Sequence, residues 1–294
     1  MARIGILGSG AVGTAVGSGF MKLGNQVMFY DLDGQRVREI CNLGLNATTD
    51  LARVIYQSDI SFLCVPTPTR NRRIDLTSIE SVTEDVAHYL KDKSDYHVVV
   101  VKSTVAPMTT ERSIIPLLEK SSDRKVGSGI GVCVNPEFLT EAHRSWTEDN
   151  SYARDFFTVE RIVIGEFDKR SGDAVEVLYR SLNIPIIRTD LRTAEMIKYA
   201  CNGALATRVS YWNEIYYICR RIGVDSDFVA HVATMDERVG QYGRVHGKAF
   251  GGKCLPKDLE AFISFAEELG YEPRLLKAVR DINERIKADK GVRE

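Results

Sequence analysis

The stretch FGGKCLPKD, residues 250 to 258, sets the thiol of Cys254 behind a glycine pair, with Lys253 and Lys257 on either side and a carboxylate at Asp258. Flanking cations favour a thiolate, and Gly251 and Gly252 give a substrate close access to the sulfur, so the chemistry on offer is nucleophilic addition to a carbonyl. For an isolated cysteine the plain alternative is a packed, inert thiol. A second pair lies in EMIKYACN, where Lys198 and Asn202 are four residues apart and share one helix face. Alone, Lys198 reads as a solvated cation paired with Glu195 three residues earlier. Beside a reactive thiol, a cation and an amide donor can hold the oxygen of a tetrahedral adduct.

A third pattern concerns phosphate. RIGILGSGAVG carries Gly8, Gly10 and Gly13 in GxGxxG order between a strand and a helix, with Val12 inside the turn. The first glycine permits the tight turn, the second lets backbone approach a pyrophosphate, and the third allows close helix packing, with the helix N-terminus favouring negative charge. Asp31, after the second strand in VMFYDLD, stands at the offset of an acid that binds ribose hydroxyls. This reading takes NAD as cofactor, because an acid there repels a 2′-phosphate; Arg36 keeps NADP open as the alternative.

The elements that must position these groups follow from periodicity. Up to about residue 190, the runs RIGIL, QVMFYD, ISFLCV, HVVVVKS, GIGVCV and RIVIG alternate with amphipathic helix-length stretches. Near-continuous apolar strands separated by helices predict an α/β fold of Rossmann type, a doubly wound parallel sheet over residues 1–189. VPTP, KSTVAP and NPEFLTE begin at carboxyl ends of strands, where open α/β sheets bind ligands. From Asp190, a plausible N-cap, one helix is predicted to run to a stop at Gly223, with two helices kinked near Gly203 as the alternative. It opens an all-helical central domain over 190–294, expected also to serve dimerisation. Ile197, Ala200, Cys201, Ala204, Tyr211, Trp212 and Ile215 give that helix an apolar surface wider than a small domain covers, which predicts a homodimer.

Composition narrows the partners. A net charge of −1 without a sign-dominated stretch argues against nucleic acid and anionic membrane, and no apolar run is long enough to span a bilayer. Six scattered cysteines without CxxC spacing or matching histidine pairs predict reduced thiols with no disulfide frame and no metal site. With no leader ahead of the first strand, the expected location is cytoplasmic.

The segments GSGAVG, VPTP, KSTV, NPEFLTE, RIVIG, AEMIKYACN, WNE, DERVG and GGKCLPKD, in this order through nearly the whole chain, resemble the UDP-glucose/GDP-mannose dehydrogenase family. The resemblance implies oxidation of a nucleotide sugar's primary alcohol to a carboxylate in two hydride transfers to NAD. It makes Cys254 the nucleophile that captures the aldehyde as a thiohemiacetal, later a thioester. Lys198 and Asn202 become oxyanion stabilisers, Asp258 and Thr104 groups that position a water, and Glu137 the base for hydrolysis. Pro66, Thr67, Thr104, Glu141 and Lys257 fall beside the cofactor. Glu137, Phe138, Leu139, Glu141, Lys198, Asn202, Phe250 and Gly251 fall beside the substrate, together with Arg238, which the family delivers from the neighbouring subunit of a dimer.

Three departures accompany the match. The connection AHRSWTEDNSYARDFFTVE is longer than the family's, and Ala249 stands where the family has glycine. The family also continues into a nucleotide-binding domain beyond the point where this sequence stops, which leaves room for a separate chain supplying that domain. Other readings are the same thiol chemistry on a smaller sugar phosphate, nucleoside or glycoside alcohol, and a non-catalytic NAD-binding dimer. An ordinary hydroxyacid dehydrogenase would leave Cys254 and Glu137 unexplained.

Overall fold

The structure, a computed structural model, describes residues 1–139, 155–252 and 254–289. Along the chain lie β1 (Arg3–Leu7), α1 (Ala11–Lys22), β2 (Gln26–Tyr30), α2 (Gly34–Asn42), β3 (Ala47–Thr48), α3 (Leu51–Gln57) and β4 (Ile60–Leu63). A small hairpin of β5 (Thr69–Arg70) and β6 (Arg73–Ile74) precedes α4 (Thr77–Lys91) and β7 (His97–Val101). Next come a π-helical turn (Thr110–Ile114), α5 (Ile115–Ser122), β8 (Ile130–Val134), β9 (Ile162–Glu166), α6 (Lys169–Tyr179) and β10 (Ile186–Thr189). The helices α7 (Leu191–Ile222), α8 (Ser226–Ala233), α9 (Leu255–Glu268) and α10 (Arg274–Ala288) complete it. Two compact units result: residues 1–68, 74–139 and 155–198 in one, and 69–73, 199–252 and 254–289 in the other.

The first unit is a sheet in the order β10-β9-β8-β7-β4-β1-β2-β3. Its inner strands are buried on both sides, and their alternating side chains feed two cores. Leu7, Leu63, Val99 and Val101 pack with α3, α4 and α5 residues such as Val54, Ile79 and Leu118. Ile4, Ile6, Phe62, Val98 and Val100 pack on the other face with Val16, Phe20, Val175 and Leu178 of α1 and α6. Phe20 sits at the centre of the second core, its ring centroid 5.1 Å from those of Phe62 and Tyr179. Burial of each such ring is worth about 2–3 kcal/mol.

The doubly wound α/β class holds, with one departure from the expected parallel sheet: β9 runs antiparallel to β8, pairing Cys133 with Glu166. A strand buried on both faces reads as the same apolar run in either direction, so the sequence carries no mark of this reversal. The short β3 and the strand β10 (IIRT) also went unread, being brief or only half-buried.

In the second unit, Ala206, Val209, Phe250, Leu259, Ile263 and Val279 form the core. The helix α7 is continuous over 32 residues. Asp190 caps it, accepting hydrogen bonds from the Thr193 N–H (2.9 Å) and hydroxyl (2.6 Å), and Gly223 ends it at φ +69°. The alternative of two helices is not seen: α7 runs unbroken through Gly203, where a Cβ would meet Phe262 and Leu276 at ordinary contact distance. Of the expected apolar stripe, Trp212 is buried inside the chain while Ala200, Ala204 and Tyr211 are exposed; outside that stripe, Ile218 and Ile222 of the same helix are more than half exposed. Among the described residues, no helix is long and apolar enough to cross a membrane.

Candidate functional site

At the carboxyl ends of β1 and β4, where the strand order reverses direction, the glycine turn is shaped for an anion. Gly8 has φ +99°, and a Cβ there would lie 2.8 Å from the Cys64 carbonyl oxygen. A Cβ on Gly13 would lie 2.0 Å from the Gly8 oxygen, so only glycine lets α1 begin here. Gly10 differs: nothing lies within 4 Å of its Cβ position, and no side chain caps α1. Open space in front of uncapped first-turn amides suits a phosphate pair. Asp31 is fixed beside this turn, accepting from the Ser9 N–H (2.8 Å) and the Asp33 N–H (3.1 Å). Arg36 braces the same turn, donating to the Ser9 oxygen (2.7 Å) and Thr14 hydroxyl (3.1 Å) while paired with Glu39 (2.8 Å). Its donors are thus engaged, which favours two free ribose hydroxyls over a 2′-phosphate. Val12 packs partly into the core below, and the Thr67 hydroxyl, one residue past Pro66, donates to the Thr104 carbonyl (2.6 Å). The residues present fit a dinucleotide.

Farther along the sheet edge, β7 and β8 are in register from His97↔Ile130 to Val101↔Val134, so the residues that follow, Lys102 and Asn135, emerge side by side. Lys102 is buried and donates to Asn135 Oδ1 (3.0 Å) and to the Pro136 carbonyl (3.4 Å); its Nζ lies 3.3 Å from Glu137 Oε2. Glu137 Oε1 accepts from the Leu139 N–H (2.5 Å), whereas the buried Oε2 has the ion pair but no directed hydrogen bond. Tyr179 donates to Asn135 (2.6 Å), and the Asn135 amide donates to the Val163 carbonyl (2.8 Å). Lys198 is buried too, donating to the Glu137 backbone carbonyl, with Nζ 5.4 Å from the Phe138 ring centroid. It lines one cavity with Thr104, Ser103, Pro136 and Glu195.

The reading of Lys198 as a solvated partner of Glu195 is therefore overturned. Glu195 is 2% exposed and accepts from the backbone N–H groups of Met108 (2.6 Å) and Thr110 (2.9 Å), ahead of α5. Burial pushes its carboxyl up to about 7 despite those two donors.

In the second unit, Cys254 is exposed at the N-cap of α9, where first-turn amides favour negative charge. One turn on, the Asp258 N–H closes onto the Cys254 carbonyl (2.9 Å) and its carboxylate is 2% exposed. Asn202 donates to one oxygen of Asp258 (2.5 Å) and the Lys257 ammonium pairs with the other (2.6 Å). The approach to the thiol is fixed by side chains: Asn283 accepts from the Phe250 N–H (2.8 Å) and donates to its carbonyl (3.1 Å). Asn213 accepts from Gly247 (2.8 Å) and donates to Lys248 (2.9 Å), and Arg208 donates to the carbonyls of Tyr242 (3.0 Å) and Val239. Phe250 is buried while Gly251 is open to solvent, with nothing within 4 Å of its Cβ position. Arg238 has a side chain 90% exposed, paired only locally with Asp236 (2.6 Å).

Thr104, Glu137, Phe138, Leu139 and Lys198 thus gather in the first unit, and Asn202, Asp258, Lys257, Cys254, Phe250 and Gly251 belong to the second. Glu141, Lys253 and most of the long connection after NPEFLTE lie outside the described residues. Sequence reasoning missed Lys102, Asn135, Asn213 and Asn283. A lysine closing the unbroken apolar strand HVVVV was the available sign of the first.

Comparison with known proteins agrees with this geometry. The UDP-glucose/GDP-mannose dehydrogenase family's NAD binding domain matches residues 40–183, and its central domain matches 192–285. GDP-mannose 6-dehydrogenase of Pseudomonas savastanoi pv. phaseolicola is 38% identical over 304 aligned residues, covering 96% of this chain and 68% of that one. UDP-glucose 6-dehydrogenase of Haloferax volcanii is 35% identical, covering 96% and 69%. The solved structure of a UDP-glucose dehydrogenase from Pyrobaculum islandicum superposes with a TM-score of 0.88 at 33% identity, covering 97% of this chain and 68% of that one. With the glycine turn, Asp31 and the NPEFLTE and GGKCLPKD segments in place, this chain belongs to the UDP-glucose/GDP-mannose dehydrogenase family and is an NAD-dependent dehydrogenase acting on a CH–OH group.

Proposed function

We propose that the protein oxidises the primary alcohol of a nucleotide sugar to a carboxylate through a covalent bond to Cys254. The observation that carries this reading is an exposed thiol at the N-terminus of α9, one turn ahead of a buried Asp258 carboxylate held by Asn202 and Lys257. The substrate class comes from the relatives that act on GDP-mannose and UDP-glucose. Bound NAD supplies the hydride acceptor for both oxidations.

The chain's own residues do the rest. The Cys254 thiolate adds to the aldehyde carbon, forming a C–S bond, and the resulting alkoxide takes a proton to become a thiohemiacetal that cannot diffuse away. Lys198 and Asn202 stabilise the oxygen of this adduct. After the second oxidation a water adds to the thioester, Glu137 accepting its proton, and the C–S bond breaks to release carboxylate and thiolate. Thr104 and Asp258 orient that water. Phe138, Leu139, Phe250 and Gly251 bound the sugar end, and Gly8, Gly10, Val12, Gly13, Asp31, Pro66 and Thr67 hold the dinucleotide.

Two copies assemble through the exposed face of Tyr211, Ile218 and Ile222 on α7 with Phe228 and Val232 on α8, each lending Arg238 to the other's site. The six cysteines form no disulfide, which suits a reducing compartment, and we assign the reaction to the cytoplasm. The test is NADH formed per GDP-mannose or UDP-glucose consumed, with two expected. Cys254→Ala should end acid formation while NAD binding persists, and Glu137→Gln should stall as a covalent adduct visible by mass spectrometry. One NADH per substrate, or undiminished acid from Cys254→Ala, would overturn the reading.

A further inference from the structure

A carboxylate that is to accept a proton from water needs its charge balanced and its free oxygen aimed, and the Glu137 side chain, only 12% exposed with Oε2 enclosed, has little water to do either. Among the described residues, the groups around it come from several elements. Lys102 enters from the end of β7, Lys198 from α7 onto the Glu137 backbone oxygen, and Tyr179 from α6 onto Asn135. Arg161, ahead of β9, lies over the Phe138 ring at 4.6 Å, and Cys64, just past β4, is nearby. Of these, Lys102 is the one whose charge meets the carboxylate, at 3.3 Å from Oε2.

We infer that Lys102 is a positioning residue for the reaction: its buried ammonium, oriented by Asn135 and the Pro136 carbonyl, holds Glu137 as a carboxylate with Oε2 free to take a proton from water. Three features support this. The ammonium has defined acceptors that fix its direction, Asn135 Oδ1 and the Pro136 carbonyl. Asn135 is itself fixed by Tyr179 and the Val163 carbonyl, so the support extends across β8, β9 and α6. The Oε1 atom is committed to the Leu139 N–H, while Oε2 meets Lys102 off the hydrogen-bonding axis and keeps its lone pairs available. Desolvation pushes the neighbouring Cys64 thiol up to about 12 despite the Lys102 charge, and raises the Tyr179 phenol as well, so neither competes with Glu137 as an anionic partner of that ammonium.

The inference rests on Glu137 being the base, and the experiment separates the two. Infrared difference spectra of the full chain, comparing each protein with its Glu137→Gln counterpart, isolate the protonated carboxyl stretch of Glu137 and need no substrate. In Lys102→Met that band should persist to a pH about one to three units higher than in the unsubstituted protein. Lys102→Arg should keep the original midpoint, and Lys102→Gln serves if the methionine variant does not bind NAD. With GDP-mannose or UDP-glucose as probe, the acid limb of acyl-enzyme hydrolysis in Lys102→Met should move by the same amount. In the Glu137→Gln background Lys102→Met should add nothing to the stall. A Glu137 band that titrates identically with and without Lys102 overturns the inference, even if activity falls. Normal hydrolysis by Glu137→Gln would instead overturn the assignment of the base.

Discussion

Replacing Gly10 and Gly13 by alanine, one at a time, separates a glycine kept for a ligand from a glycine kept for the fold. At Gly10 the backbone has φ −66° and ψ −170°, a conformation any residue adopts, and a new methyl meets nothing within 4 Å. Alanine there lowers unfolded-state entropy by about 0.4–1 kcal/mol and loses about as much as a poorer helix N-cap, so the NAD-free chain should hold its stability to within about 1 kcal/mol. At Gly13 the methyl lies 2.0 Å from the Gly8 oxygen and 3.1 Å from Ile6 Cγ2, and only backbone movement relieves the first contact. That costs about 3 kcal/mol or more, or about 6–12 °C in thermal midpoint for a domain of this size. Cofactor affinity should reverse the contrast. The Gly10 methyl occupies the space open to a pyrophosphate and should weaken NAD at least about tenfold, about 1.4 kcal/mol, in a chain that is otherwise sound. Calorimetric titration with NAD alongside melts of the NAD-free proteins measures both quantities. Unchanged NAD affinity in Gly10→Ala, or equal destabilisation of the two variants, would refute the argument.

Further outcomes follow from other residues. Glu195 titrates at about 7 in the folded chain against 4.5 as its ordinary value, so its stabilising share is complete below about pH 4.5 and fades as pH rises through 7. Denaturant titrations should show about 3 kcal/mol of such loss, and it should vanish in Glu195→Gln. Asn283→Leu leaves the buried N–H and carbonyl of Phe250 unpaired, at about 1–3 kcal/mol each, and should lower kcat while NAD affinity stays constant. Mixed dimers of Cys254→Ala and Arg238→Ala chains should recover activity in one of their two sites; none, after proven subunit exchange, would exclude a shared site.

The parts legible in the sequence are those whose role is local. Gly8, Gly10 and Gly13 announce themselves because turn, ligand approach and helix packing are decided within a dozen residues, and Asp190 and Gly223 mark the limits of α7 by the same local rules. Roles set by register across the sheet were not legible. Lys102 and Asn135 become neighbours only because β7 and β8 pair as they do, and KSTVAP gives no sign of which of its polar residues points inward. Glu195 failed for a related reason. Its partner was sought one helical turn away on Lys198, whereas backbone N–H groups some 85 residues distant satisfy it. Trp212 was taken for a dimer contact because helical spacing ranks residues by face without saying which of two apolar faces the chain itself covers.

The irregular loop leading to Cys254 has a consequence for how the protein is made. Its backbone owns no ladder of its own and takes its course from side chains on helices elsewhere, and the last of these, Asn283, lies 33 residues beyond Phe250. During synthesis the glycine turn and sheet emerge long before α10, so the dinucleotide cradle can form on a chain whose thiol segment is still a wandering strand of polymer. Closing a loop of that size carries only a modest entropic penalty, which grows slowly with length. The deciding event is the arrival of α10, and the thiol acquires a defined setting only once that helix has emerged and docked.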